Sequence, residues 1–175
     1  MASLEIRLMG DPVLREEAEE IEAVDDEIRQ LAQDMFDTMY EADGVGLAAT
    51  QFGVTRRLIV VDPLEQYVAP MALVNPRVVA VSDETDRAEE GCLSIPGLRE
   101  VVTRASTVTV EALDLNGERV RIDAEGLHAR VLLHEVDHLD GVLFIDRVSP
   151  LKRKMLLKKW KKAQAEREGA ATGGR

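Results

Sequence analysis

The sequence predicts a single α+β domain, with antiparallel strands around a central helix and further helices near the N- and C-terminal ends. Three observations carry that expectation. The 175 residues are 45% hydrophobic and 31% charged, enough apolar material for one core and enough charge to keep its surface solvated. Helical spacing recurs near the start, late in the chain and again at the end. Between these segments lie short alternating or wholly apolar runs of strand length, one pair of them joined by Asn116-Gly117, a strong hairpin turn.

The elements follow in order. Asp25 or Asp26 can cap a helix whose buried face is Ile28, Leu31, Met35 and Met39, spaced three and four apart. That helix should stop at Asp43-Gly44, where glycine tolerates a left-handed backbone. Residues 57–62 contain Leu-Ile-Val-Val, a buried strand ended by Pro63. Residues 72–74 and 78–81 read as two strands broken by Asn75-Pro76. Residues 107–113 alternate well, and 118–122 return as the second arm of the hairpin. Helical patterning resumes over 126–139. Ser149-Pro150 starts a last helix, serine as cap and proline in the first turn. Residues 1–168 are expected to form one domain including this helix, and the Gly-rich residues 169–175 a disordered tail.

Composition excludes several classes. No apolar run approaches the roughly 20 residues of a membrane span, and residues 1–10 lack the basic start and apolar stretch of a secretory signal. The lone Cys92 cannot form an internal disulfide, which suits a reducing compartment. A cytoplasmic protein is expected. The net charge of −11 argues against general nucleic-acid binding, but the charge is uneven. From Leu151 to Arg175 there are nine Lys or Arg against two Glu, while the rest carries 13 basic and 31 acidic residues. The basic end reads either as a solvated helix face or as a docking surface for a polyanion, and both readings stand. The acidic run 16–27 reads as solvated surface.

All three histidines lie within 128–138. His134-Glu135-Val136-Asp137-His138 is an H-E-x-x-H. On a helix, residues four apart share a face, so both imidazoles can reach one metal, with Glu135 beside its water. The flanking Val131, Leu132, Leu133 and Val136 are apolar, and a buried histidine pair needs partners that a metal supplies. Catalytic sites of this kind use three protein ligands. Asp140 and Asp146 are too near in sequence to fold back easily, and Glu166 and Glu168 lie in the basic tail. His128 is six residues before His134, which is no helical ligand spacing, and reads as a surface or packing residue. Cys92, in Glu90-Gly91-Cys92-Leu93-Ser94, is either a small core residue or the third ligand.

Gly44-Val45-Gly46-Leu47-Ala48-Ala49-Thr50-Gln51 formally contains G-x-G-x-x-A. The dinucleotide reading fails, because the motif follows a helix rather than a strand. The glycines suggest instead that an extended ligand approaches the backbone. Gln51 is an uncharged donor able to meet a developing oxyanion.

Taken together, these three segments resemble, in order, the motifs of the peptide deformylase family, which removes the formyl group from the N-terminal formyl-methionine of new bacterial polypeptides. Gly10-Asp11-Pro12 with Leu14-Arg15, Ile95-Pro96 with Arg99, and Leu139-Asp140-Gly141 with Leu143-Phe144-Ile145-Asp146 are similar to further family segments. The likeness runs from about residue 4 to 150.

The resemblance implies that Cys92, His134 and His138 bind one divalent metal ion. Fe2+ is the usual one, with Zn2+, Ni2+ or Co2+ as substitutes. It implies that Glu135 is the acid–base residue, and that Gln51 and the backbone N–H of Leu93 form the oxyanion hole. Val45 and Gly46 would pair with the peptide backbone as an added strand. Arg99, Arg130 and Val131 would lie near the peptide and its methionine pocket. The implied partners are formyl-methionyl nascent peptides and, through the basic C-terminal helix, the ribosome. No membrane partner is implied. One departure stands out: Leu133 precedes the first metal histidine, where the family commonly has Gln, which bears on the hydrogen bonds behind the ligands.

Two other readings compete at this level. A general H-E-x-x-H peptidase would draw a downstream carboxylate or histidine as its third ligand. A structural metal site in a binding module would need a fourth protein ligand.

Overall fold

A computed structural model describes residues 4–173, with side chains to Gly169. One helix follows the N-terminal segment, α1 (Asp26–Glu41). Three short strands come next: β1 (Gly46–Ala48), β2 (Leu58–Val61) and the longer β3 (Met71–Val81). A hairpin of β4 (Thr85–Gly91) and β5 (Arg99–Ala105) precedes a second hairpin, β6 (Thr107–Leu113) and β7 (Arg119–Glu125). Two helices complete the chain, α2 (Gly126–Leu139) and α3 (Pro150–Gly173). The expected α+β class holds. Among the described residues no helix is long and apolar enough to cross a membrane.

Five strands form an antiparallel sheet in the order β1-β2-β3-β6-β7, while β4 and β5 pair separately. Alternation along the strands divides the core. In β2, Ile59 and Val61 face the cluster that includes Leu132, Val136 and Leu139 of α2. Leu58 and Val60 face the other way, onto Ile28, Ala32, Met35 and Met39 of α1. A strand covered by helices on both faces has no polar side, which is why Leu-Ile-Val-Val is continuous. Burying each such side chain contributes about 1.5–3 kcal/mol. A third cluster ties Leu156 and Trp160 of α3 to Met9, Leu14, Ile95 and Phe144.

The α1 cap is Asp25, whose carboxylate accepts from Ile28 N at 3.0 Å. At the other end, Asp43 rather than Gly44 takes the left-handed conformation, with φ 57°. Aspartate tolerates this region better than most side chains. Gly44 is needed for a different reason: a Cβ there would lie 2.9 Å from Leu93 Cδ1.

Residues 72–81 form one strand, not the expected two. Asn75, at φ 51°, and Pro76 sit in a register shift between Val74 and Arg77, so the pairing continues past them. The hairpin β4–β5 had no counterpart in the expected elements. Its strand Thr-Asp-Arg-Ala-Glu-Glu-Gly lacks apolar alternation. Helix α3 continues to Gly173, so residues 169–173 extend the helix where a disordered tail was expected. Residues 174 and 175 lie outside the described part.

Candidate metal centre and substrate cleft

Helix α2 carries His134 and His138 one turn apart on the face beneath the β4–β5 connection. That connection begins at Cys92, directly after the end of β4 at Gly91. Cys92 Sγ lies 3.3 Å from His138 Nε2, which lies 3.2 Å from His134 Nε2. Among the described residues these three form one cluster of candidate ligands, all ligand atoms within 4.8 Å of one another. A four-coordinate ion with bonds of about 2.0–2.3 Å sets neighbouring ligand atoms roughly 3.3–3.7 Å apart. The short edges and the thiol–imidazole donor set therefore fit one divalent ion. Asp140 and Asp146 take no part. Arg57 holds Asp140 at 2.9 Å, and Arg15 and Arg153 hold Asp146.

The two imidazoles differ: burial opposes the charge on His134, but Glu135 and the bonds to Cys92 and Glu90 outweigh it and raise its pKa well above the ordinary value. Burial pushes the pKa of His138 well below its ordinary value, with His134 adding to the effect, so it stays neutral as a ligand must. Glu135 is 4% exposed, and its Oε1 is buried with no hydrogen-bond partner among the described residues. Burial pushes its carboxyl up to about 7, against the pull of His134. A carboxyl titrating near neutrality, with an oxygen left unpartnered beside the ligand cluster, suits proton transfer to and from a neighbouring group.

Behind the ligands is a buried charged cluster. Glu90 accepts from His134 Nδ1 at 2.9 Å, from Arg104 at 2.9 Å through two nitrogens, and from Arg130 at 2.6 Å. Arg104 also binds Asp137 at 2.6 Å, and Asp137 binds Arg147. Burial opposes the charge on Glu90, but the bonds from Arg104 and His134 outweigh it and hold its carboxyl well below the usual range. The Nδ1 contact leaves His134 Nε2 as the nitrogen that could hold an ion. Leu133 is half-buried and packs against the core cluster, and His138 Nδ1 is buried with no hydrogen-bond partner among the described residues.

A cleft of 570 Å³ opens beside the ligands. Val45, Gly46, Gln51, Leu93, Arg99, Arg130 and Val131 all border it, with Glu135 and two of the three ligands. Gly46 lies in edge strand β1, and a Cβ there would meet Glu135 Oε2 at 2.7 Å and Val131 Cγ1 at 2.8 Å. Gln51 sits in a 3-10 turn, Ala49–Phe52. Its Oε1 accepts from Ala48 N at 2.9 Å, and Thr50 in the same turn bonds the His138 carbonyl. Arg99 pairs with Glu89 at 2.7 Å, both largely exposed. The Arg130 guanidinium bonds to Glu90 and to the carbonyls of Val102 and Asp86. His128 is buried, as a packing residue would be.

Sequence reasoning quoted Glu90, Ser94, Ile95 and Asp137 within motifs but assigned them no role, and it missed Arg104 and the apolar lining residues Leu127 and Leu98. The position of Glu90 two residues before the ligand was the one available signal. A wider groove of 670 Å³, lined by Arg57, Arg77, Glu111 and Arg121 among others, includes none of the candidate ligands.

Comparison with known proteins gives a consistent result. The family model described as polypeptide deformylase matches residues 3–154. The peptide deformylase of Acinetobacter baumannii (strain SDF) is 48% identical over 168 residues, covering 96% of each chain. The crystal structure of a peptide deformylase from Legionella pneumophila superposes with a TM-score of 0.88 at 44% identity, covering 95% of this chain and 98% of that one. That of the Ehrlichia chaffeensis enzyme in complex with actinonin gives 0.86 at 40% identity, covering 93% and 98%.

Proposed function

The chain belongs to the polypeptide deformylase family, and on that premise we propose how its residues divide the work. It is a hydrolase that removes the formyl group from the N-terminal formyl-methionine of newly made polypeptides and releases formate. Cys92, His134 and His138 hold a single divalent ion, which is Fe2+ in the cell, with Zn2+, Ni2+ or Co2+ as working substitutes. Such an ion supplies Lewis-acid chemistry, lowering the pKa of water from 15.7 towards about 7.

The rest falls to the chain's own side chains. Glu135 accepts the proton of the attacking water as its oxygen bonds to the formyl carbon. Charge then builds on the formyl oxygen, where Gln51 Nε2 and the Leu93 N–H meet it. Losing one such donor costs roughly 10²–10³ in rate. Glu135 returns the proton to the leaving nitrogen as the C–N bond breaks, giving formate and a free methionine terminus. The peptide backbone lies along Val45 and Gly46 as an added strand. Val131 and Leu127 face the methionine side chain. Arg99 stands at the mouth.

The observation that supports this assignment best is the meeting of one sulfur and two ring nitrogens beside the unpartnered oxygen of Glu135. Its test is purification without oxygen, metal quantification, and formate release from a formyl-methionyl dipeptide. One equivalent of iron and active wild type are expected, with Glu135→Gln retaining metal but losing about 10²–10⁴ in kcat. A fully active Glu135→Gln would overturn the assignment.

Residues 1–168 act as one catalytic unit, since α3 contributes Leu156 and Trp160 to the third core cluster. The protein works in the cytoplasm, where nascent chains emerge. Lys154, Lys158, Lys159, Lys161 and Lys162 are exposed along α3 and dock on ribosomal RNA. Trimming α3 would strip the core, so the test is charge reversal at those lysines. Ribosome co-sedimentation should fall, and wild-type binding should weaken steeply with salt. Equal, salt-independent binding by both forms would remove the docking role.

A further inference from the structure

Gln51 has a side-chain amide with two donors and one acceptor, and its surroundings decide where each points. The acceptor is taken: Oε1 receives the Ala48 N–H at 2.9 Å. That contact fixes the flip of the amide, so Nε2 faces the β4–β5 connection. There Nε2 donates to Ser94 Oγ at 3.0 Å and lies 3.6 Å from Cys92 Sγ. Ser94 is fully buried, and its carbonyl accepts from Met9 N at 2.8 Å. Met9 is held in turn by Trp160 Nε1 at 3.2 Å. The backbone that carries the hydroxyl is thus anchored.

From this arrangement we propose that Ser94 is the positioning residue for the oxyanion donor. By accepting one N–H of Gln51, it turns the other towards Cys92 and the reacting formyl oxygen. Without the hydroxyl the amide keeps only its Ala48 contact, and Nε2 loses the second contact that holds it in place before reaction. The effect belongs to the transition state, where charge on the oxygen is largest, so it falls on kcat rather than KM. The proposal rests on the assignment of Gln51 as a donor to that oxygen.

The test is a double-mutant cycle on metal-loaded enzyme with a formyl-methionyl dipeptide, metal content checked for each variant. Ser94→Ala should lower kcat by about 10-fold with KM unchanged, Ser94→Thr should restore most of it, and Gln51→Ala should lower kcat by roughly 10²–10³. In the Gln51→Ala background, Ser94→Ala should have no further effect, because the two act as one unit. Equal losses in both backgrounds, or none in either, would overturn the proposal. A fully active Gln51→Ala would instead overturn the assignment beneath it. Independently of any variant, the Gln51 amide protons in the Zn2+-loaded wild type should exchange unequally, the one on Ser94 more slowly. Equal exchange would count decisively against the proposal.

Discussion

Glu90 and His134 are 44 residues apart in sequence, yet Glu90 Oε1 receives the His134 Nδ1 proton at 2.9 Å. The same carboxylate is gripped by Arg104 and Arg130, so the orientation of a metal ligand depends on a charged cluster 5–7% exposed. Ligand geometry and fold stability therefore meet in one side chain.

Substitutions at Glu90 should separate those two roles. Glu90→Gln keeps the shape but weakens the hold on His134, and metal should be lost to a chelator about 10–100-fold faster. Glu90→Ala also strands two buried guanidinium groups and should destabilise the fold by about 3–5 kcal/mol. Metal-release kinetics and urea unfolding measure the two effects. Wild-type metal retention in Glu90→Gln would show that His134 is oriented by packing alone.

Gly46→Ala should be damaging at a position where no side chain is otherwise required. The added Cβ would come within 2.7 Å of Glu135 Oε2 and 2.8 Å of Val131 Cγ1. Either β1 or Glu135 must move, and a displacement near 1 Å costs about 10²-fold in rate. Steady-state kinetics should show that loss with metal content unchanged.

Removing the ion should lower stability as well as activity. The ligands come from α2 and from the loop after β4, so bound metal links elements that otherwise pack through side chains. Free ligand at about 100 times Kd adds about 2.7 kcal/mol to the folded state. Adding a chelator should lower Tm by several degrees, re-addition of Zn2+ should restore it, and Cys92→Ala should abolish the response.

Asp146 should govern part of the acid limb of stability. Burial works against its charge, but Arg15, the Leu143 N–H and Arg153 together hold its pKa below the ordinary 3.8. The unfolded chain then binds the proton more readily. The stabilisation is complete above about pH 5 and lost as pH falls through the lowered folded value. Asp146→Asn should be less stable than wild type at pH 7, and the difference should shrink towards pH 3. An unchanged gap across that range would assign the loss to something other than charge.

Much of the fold is local enough to read along the chain. The Asp25 cap, the α1 face and the bounds of β6 and α2 follow from spacing and turn chemistry within a few residues. The β4–β5 hairpin does not. Its strands are half-exposed and charged, so no apolar period marks them, and its stability comes from pairing across the loop and from the ion pair of Arg104 in β5 with Glu90 in β4. The Asn75-Pro76 break is similar: a local disruption that β3 absorbs as a bulge in its pairing with β6.

The two ring nitrogens of the candidate metal centre, and the carboxyl beside them, were determined by sequence alone, because helical periodicity places His134 and His138 on one face wherever the helix lies. The tertiary structure decided what completes them. It brought Cys92 to the helix through a hairpin with no apolar signature. It set Arg130, at the edge of the cleft, onto Glu90, and it placed Gln51 Nε2 against Ser94 Oγ. A helix repeats every few residues and declares its face in the local order of side chains, whereas contacts across 40 or more residues are set by how whole elements pack, which local order does not encode.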